Sequence, residues 1–165
     1  MAAAGEPNIV EKLLTGYPSG GKTFKVHLDG YNQRDLLAGT GPSKRKEFYY
    51  WTDDSQLAAL RYDRWKILFL EQRAIGLNVW QDPLVPLPLP KLMDLSADPF
   101  ERAESDSGNY DKWRVQRAFV LVPAQAIVGQ HLQTYLAFPP RQKPGSFSLD
   151  QVLAKLQEGG GSGQH

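Results

Sequence analysis

Three runs of aromatic and aliphatic residues lie close together in the middle of the chain, and each has the length of a β-strand. They occupy residues 48–51, 57–62 and 65–70, and short polar turns separate them. Because hairpin-sized turns join antiparallel neighbours, this spacing predicts a β-meander. Residues 91–95 follow a proline-rich stretch and can add a further strand. The pattern therefore predicts a sheet of about four antiparallel strands.

Helical spacing flanks the predicted strands on both sides. Before them, Ile9, Leu13 and their neighbours form an apolar stripe that ends at Gly16, and residues 33–38 form a short helix that Asn32 can cap. After them, a helix begins at Tyr110, breaks or kinks at Pro123 and continues through residues 124–136. A last helix is predicted from Ser148, with these residues on one face: Leu149, Val152, Leu153 and Leu156.

Strands followed by helices, without alternation of the two, are typical of the α+β class. We therefore predict an α+β fold in which about four antiparallel strands pack against one long and several short helices. The chain has 165 residues, which is the size of one domain, and residues 158–165 form a Gly/Ser-rich flexible tail.

Composition removes several function classes. The chain has no cysteine, which excludes disulfides, thiolate metal sites and cysteine nucleophiles. Its net charge of +1 gives no basis for a nucleic-acid-binding face. No apolar run reaches the length of a membrane span, and the N-terminus does not have the pattern of a secretory signal. No nucleic-acid or membrane partner is expected, and the default expectation for location is cytoplasmic.

Residues 16–23 match the pattern of a nucleotide phosphate-binding loop, with Gly21, Lys22 and Thr23 as the candidate binding residues. Such a loop must follow a buried strand and begin a helix, because the helix N-terminus faces the phosphate. Here a helical pattern comes before Gly16 and an extended pattern follows Thr23. A glycine-rich turn is the favoured interpretation, and nucleotide binding is an alternative.

Other motifs have simpler explanations. The aspartates 29, 53, 54 and 63 can be imagined as a cation site, but adjacent aspartates in turns more often bind backbone N–H groups. The proline-rich residues 83–91 are interpreted as a packed crossing over the sheet, and Lys44, Arg45 and Lys46 as a solvated patch. The strand aromatics can line a pocket but are more typical of core and interface, and His27 is interpreted as a structural group.

Several segments together resemble the C-terminal part of type I sulfatases, the arylsulfatase family. Leu28-Asp29-Gly30 and Leu36-Leu37-Ala38-Gly39 are followed by Arg45 and the aromatic run that ends at Trp51. Ala59-Leu-Arg-Tyr-Asp-Arg-Trp-Lys66 and Leu92-Met-Asp-Leu-Ser-Ala-Asp-Pro-Phe-Glu101 resemble two further signatures of the family. Residues 119–126 and 139–148 resemble its bacterial branch. The likeness covers residues 2–157.

The resemblance implies that residues 17–157 form the smaller C-terminal subdomain, a four-stranded sheet with a packed helix that docks on the catalytic domain and shapes the rim of its pocket. Residues 1–16 are interpreted as the truncated end of a helix and a linker. In this family the catalytic domain belongs to the alkaline phosphatase superfamily and holds calcium and a formylglycine made from Cys or Ser in C/S-x-P-x-R. This sequence contains no such motif. The chain is therefore expected to hold neither cofactor, to have no catalytic residue and to be inactive alone.

A surface that packs on another domain stays apolar when it is exposed. We therefore expect one apolar face, built from strand aromatics and the long helix, that binds a sulfatase catalytic domain or a second copy of the chain. A module that binds a different partner is the alternative. The candidate interface residues are Tyr50, Trp51, Asp53, Asp54, Arg61 and Tyr62.

Overall fold

The computed structural model describes residues 4–140 and Gly145. The helix predicted from Ser148 and the tail predicted at 158–165 lie outside these residues. The described elements are, in chain order, α1 (Ile9–Thr15), β1 (Tyr17–Ser19), β2 (Lys22–Phe24), α2 (Arg34–Leu37), β3 (Glu47–Trp51), β4 (Leu57–Tyr62), β5 (Trp65–Glu71), a 3₁₀ helix (Gly76–Trp80), β6 (Val85–Asp94), α3 (Ala103–Asp106), α4 (Tyr110–Gln116), a second 3₁₀ helix (Ala118–Val120) and α5 (Leu121–Ala137).

The central sheet has four antiparallel strands in the order β3-β4-β5-β6. In the register, Tyr49 lies opposite Leu60, Leu60 opposite Ile67, and Ile67 opposite Leu92. This row of apolar side chains crosses all four strands on one face of the sheet. The prediction of an α+β fold with a four-stranded antiparallel sheet is confirmed, and the observed strands β3, β4 and β5 match the three predicted runs.

The proline-rich stretch is not a crossing over the sheet, as predicted, but the first half of the edge strand β6. Its pairing with β5 is regular from Lys91 to Asp94 and shifts register between Leu68 and Leu70 of β5. Proline has no N–H to donate, so it is tolerated at a sheet edge where the ladder is already irregular. Pro86 lies opposite Leu70 at the shifted end of the ladder.

The core lies between the apolar row of the sheet and the C-terminal helices. Leu60, Ile67 and Leu92 are almost completely buried and contact Val120 and Ala124 of the helical layer. Burial of these side chains holds α5 on the sheet, since a fully buried aliphatic side chain contributes about 1.5–3 kcal/mol. Leucine and isoleucine at opposite positions of neighbouring strands thus determine which face of the sheet the helix covers.

The predicted helix from Tyr110 is divided earlier than expected. α4 ends at Gln116, a 3₁₀ turn follows, and α5 begins at Leu121, so Pro123 lies in the first turn of α5. N–H groups in a first helical turn have no acceptor within the helix, so a proline there removes no hydrogen bond of the helix. The prediction that the break or kink falls at Pro123 is therefore wrong. Within residues 4–140 and Gly145, no helix has the length and apolar character needed to cross a membrane.

Candidate functional site

A groove of about 730 Å³ lies between the loop at residues 26–32, strand β3 and helix α5. It brings together ionisable and aromatic side chains that are far apart in the sequence. The loop is held beside α1 by the N–H of Val26, which donates to the carbonyl of Leu13 at 3.0 Å. The groove is lined by these side chains, among others: His27, Asp29, Tyr31, Arg45, Glu47, Tyr49 and His131.

His131 is the buried polar residue at the base of this groove. Its ring stacks on Tyr49 with centroids 3.8 Å apart, and Trp51 and Tyr135 pack around it at 6.0 and 5.3 Å. Burial lowers the pKa of His131 below its ordinary value and raises the pKa of Tyr49 to about 12. Both rings are therefore uncharged near neutral pH, which suits a stacked pair inside a helix–sheet contact.

The polar contacts of the groove tie the loop to the start of β3. His27 Nδ1 lies 3.2 Å from the Asp29 carboxylate, and the Arg45 guanidinium donates to the Asp29 carbonyl at 2.9 Å. The Tyr31 hydroxyl donates to the Glu47 carboxylate, and this hydrogen bond raises the pKa of Tyr31. These contacts stabilise the loop that carries the Leu28-Asp29-Gly30 motif against the sheet.

The arrangement is suited to positioning and binding more than to acid–base chemistry. Tyr31 and Tyr49 are held protonated, and His131 is enclosed by aromatic rings, so none of them is poised to exchange protons with a substrate near neutral pH. Among residues 4–140 and Gly145, no group of three His, Asp or Glu side chains is placed to hold a metal ion. Sequence reasoning missed the groove because its walls come from three distant segments.

The structure places the predicted interface residues on two faces. Trp51 contacts Tyr135 of α5 edge-to-face at 5.7 Å and so lies on the helix side of the sheet. Tyr50 contacts Phe48 at 4.8 Å and lies beneath the Lys66 ammonium at 5.0 Å on the opposite side. The prediction of one apolar face built from Tyr50, Trp51 and the long helix is therefore wrong, because consecutive strand residues point to opposite faces.

The other interface candidates divide in the same way. Arg61 lies opposite Phe48 in the register and shares its face, whereas Tyr62 lines an apolar pocket with Trp65 and the helical layer. Asp53 and Asp54 follow β3 in the turn that leads to β4. Asp53 is exposed, and its carbonyl accepts the N–H of Gly145 at 3.0 Å.

The segment predicted to be a glycine-rich turn lies in a β-hairpin of residues 17–24, which confirms that interpretation. Tyr17 pairs with Phe24 and Ser19 with Lys22, and Gly20 and Gly21 form the two-residue turn at φ +55° and +76°. Two successive positive φ values are the mark of a type I′ hairpin turn, where glycine is preferred. Thr23 lies within β2 and the next helix begins only at Arg34, so Gly21, Lys22 and Thr23 do not have the geometry that a phosphate loop requires.

Within residues 4–140, one short segment carries several highly exposed apolar side chains and is not among the predicted interface residues. It is the 3₁₀ helix between β5 and β6 together with the residue before it, and we call residues 75–80 the apolar loop. Ile75, Leu77 and Trp80 are each more than 80% exposed. The signal in the sequence is a run without charge between Arg73 and Asp82.

Stability is expected to fall as the pH drops below about 6.5, because the folded state depresses the pKa of His131. Below this pH the unfolded chain binds a proton on His131 that the folded chain excludes. The loss of stability continues until the pH has fallen through the pKa that His131 has in the folded state. The groups that set this pKa are the surrounding rings, His27, Asp29 and Glu47. Urea unfolding at several pH values tests this, with His131→Phe as the variant without a titrating ring. Parallel pH profiles for the two proteins would contradict the prediction.

Comparison with protein-family models and with curated proteins gave no match for this chain.

Proposed function

We propose that this chain is the C-terminal subdomain of an arylsulfatase-type sulfuric ester hydrolase, which docks on the catalytic domain and shapes the rim of its pocket. The observation that supports the proposal is a four-stranded antiparallel sheet with the long helix α5 on one face. This is the architecture that the resemblance implies. The segments that carry the resemblance form part of this sheet. Residues 59–66 contain most of β4, the turn after it and the start of β5, and residues 92–94 end β6.

The proposal assigns the chemistry of ester cleavage to the catalytic domain. Hydrolysis of a sulfate ester needs a nucleophile, stabilisation of the developing negative charge and an acid for the leaving group in one site. The formylglycine nucleophile and calcium belong to that domain in the proposal. The contribution of this chain is the ordered loop at 26–32, which the Arg45 and Tyr31 contacts hold beside β3.

The apolar loop is the docking element that we propose for the catalytic domain. Side chains such as Trp80 and Leu77 lose little water-exposed area within this chain, so burying them against a partner is favourable. Tryptophan at the centre of an interface often carries a large share of the binding free energy. Residues Gln72 and Asp82 support the loop, since the Gln72 amide donates to the carbonyl of Asp82 at 2.9 Å.

The proposal is tested by complementation. An arylsulfatase catalytic domain prepared without its own C-terminal subdomain is assayed with p-nitrophenyl sulfate and calcium, alone and with this chain. We expect no turnover by this chain alone and a gain in activity when the two are mixed. Turnover by this chain alone, or a mixture that neither associates nor gains activity, would overturn the proposal. Association with unrelated proteins only would favour the alternative of a module with another partner.

Trp80→Ala is expected to weaken this association by roughly 10- to 100-fold, because a buried tryptophan contributes about 2 kcal/mol or more to an interface. Isothermal titration of the catalytic domain with each variant measures the change. Phe100→Ala is the matched control, since Phe100 is another aromatic residue that is largely exposed but lies outside the apolar loop. Equal affinities of the two variants would show that the apolar loop is not the docking element.

A further inference from the structure

The two edges of the central sheet differ in what they offer to another strand. On β6, the Tyr110 hydroxyl donates to the carbonyl of Leu92 at 3.0 Å and lies 3.3 Å from its N–H. The same strand contains Pro86, Pro88 and Pro90, which have no N–H to donate. Side-chain capping and proline therefore protect the β6 edge from pairing. Strand β3, at the opposite edge, contains no proline.

The hydrogen-bond pattern shows which groups of β3 point away from the sheet. The Asp63 N–H donates to the Lys46 carbonyl at 2.8 Å, and the Thr52 N–H donates to the Gln56 carbonyl at 2.9 Å. Since pairing alternates along an antiparallel strand, the backbone groups of Glu47, Tyr49 and Trp51 face outward. Within residues 4–140 and Gly145, no backbone hydrogen bond joins these outward groups to another segment.

The sequence around β3 is complementary to itself in the antiparallel direction. Basic residues precede the strand, aromatic residues fill it, and acidic residues follow it. If two copies pair about a two-fold axis at Tyr49, Glu47 lies opposite Trp51 and every outward group finds a partner. A shift by two residues would leave one outward residue of each strand unpaired, so the hydrogen bonds favour the centred register.

This register also aligns the charges. It places Arg45 of one copy opposite Asp53 of the other, and Lys44 opposite Asp54, at both ends of the pair. Arg45 and Asp53 are exposed, and Arg45 reaches across when its guanidinium exchanges the Asp29 carbonyl for the Asp53 carboxylate of the other copy. Parallel pairing would instead place like charges side by side, which is unfavourable. On the other face, Phe48 lies opposite Tyr50, and cross-strand aromatic pairs stabilise antiparallel strands.

We propose that two copies of this chain associate through β3, with Tyr49 at the two-fold axis, so that their four-stranded sheets form one continuous sheet. The surface is the outward edge of residues 47–51, and the occupant is a second copy of the same strand. The hydrogen bonds fix the register, and the Arg45–Asp53 pairs select the antiparallel direction. This association involves neither the apolar loop nor a catalytic domain, so the cross-linking test of its register is independent of the proposed function.

Disulfide trapping tests the register, because the chain has no cysteine of its own. In a non-hydrogen-bonded antiparallel pair the two Cα atoms lie about 4.5 Å apart, within reach of a disulfide. A mixture of Phe48→Cys and Tyr50→Cys chains is expected to form the cross-linked pair on mild oxidation. Each variant alone is expected to cross-link slowly, since identical positions lie about 7–8 Å apart. Failure of the mixture to cross-link faster than either variant alone would overturn the proposal.

Charge reversal tests the association without introduced cysteines. Sedimentation equilibrium is expected to show a dimer of the natural chain, and Arg45→Asp or Asp53→Arg is expected to weaken it by roughly tenfold or more. The double variant Arg45→Asp/Asp53→Arg is expected to restore it, which a loss of folding would not do. Lys112→Asp, on the exposed surface of α4, is the control and should leave the dimer intact. A monomeric natural chain would overturn the proposal and indicate that another segment or protein covers β3.

Discussion

Replacing Leu60 with alanine is expected to lower the free energy of unfolding by about 3 kcal/mol and the melting temperature by about 6–12 °C. Leu60 has no exposed surface and lies in the middle of the apolar row that crosses the sheet. Its truncation leaves a cavity between Ile67 and α5 that rigid neighbours fill only in part. Calorimetry and urea unfolding measure the change.

Leu37→Ala is the matched control for this substitution. Leu37 ends α2 and is 81% exposed, so removal of the same atoms there should change stability by less than about 0.5 kcal/mol. If Leu60→Ala and Leu37→Ala lowered stability equally, the assignment of the sheet face that α5 covers would be wrong.

Lys91→Met is expected to destabilise the fold by about 2 kcal/mol near neutral pH, because two carboxylates lose their shared cation. The Lys91 side chain is buried and donates to Glu71 on β5 and to Glu104 on α3, the latter at 2.6 Å. Removing one partner of a fully buried pair costs about 3–5 kcal/mol, and the partial exposure of both carboxylates reduces this value. The bridge also joins α3 to the sheet, so α3 should be the first element to loosen.

The effect of Lys91→Met depends on pH in a definite direction. The hydrogen bond from Lys91 lowers the pKa of Glu71 below its usual value of 4.5. Burial opposes the charge on Lys91, but the two carboxylates outweigh it and raise the Lys91 pKa. The ion pair therefore stabilises the fold fully above the ordinary glutamate pKa. This stabilisation is lost as the pH falls through the lowered pKa of Glu71.

The difference in unfolding free energy between Lys91→Met and the natural chain should therefore shrink between about pH 7 and about pH 3, with the loss beginning only below about pH 4.5. Urea unfolding at the two pH values measures it. Lys112→Met, which removes an exposed lysine on α4, should have little effect at either pH. A pH-independent difference would show that Lys91 acts through the packing of its aliphatic stem.

The parts of the fold that were predictable from sequence are those with strong local signals. The β3–β5 meander follows from aromatic runs separated by short turns, and the Gly20–Gly21 hairpin follows from residues that tolerate positive φ. The edge strand β6 was not predictable, because whether a proline-rich segment pairs depends on a neighbour that is irregular at that point. The break before α5 was not predictable either, because it depends on tertiary packing: it lets α4 and α5 pack at different positions on the sheet.

The candidate site was less predictable than the fold. Side chains alternate between the two faces of a strand, so Tyr50 and Trp51 were predictable on opposite faces. The prediction of one shared face did not take this alternation into account. The contact of His131 with Tyr49 joins residues of α5 and β3, and no local pattern encodes such a distance. The exposed apolar loop had a visible signal, but short uncharged runs are equally typical of buried segments.

The Tyr110 hydroxyl and the prolines of β6 determine how far any sheet-to-sheet assembly of this chain extends. A chain whose sheet has two open edges can pair with another copy at each edge, and such chains add end to end into fibrils. With Leu92 capped and Pro90 unable to donate, the chain is univalent. Growth through this sheet therefore terminates after one addition, and the edge chemistry of a single strand separates a closed pair from an open polymer.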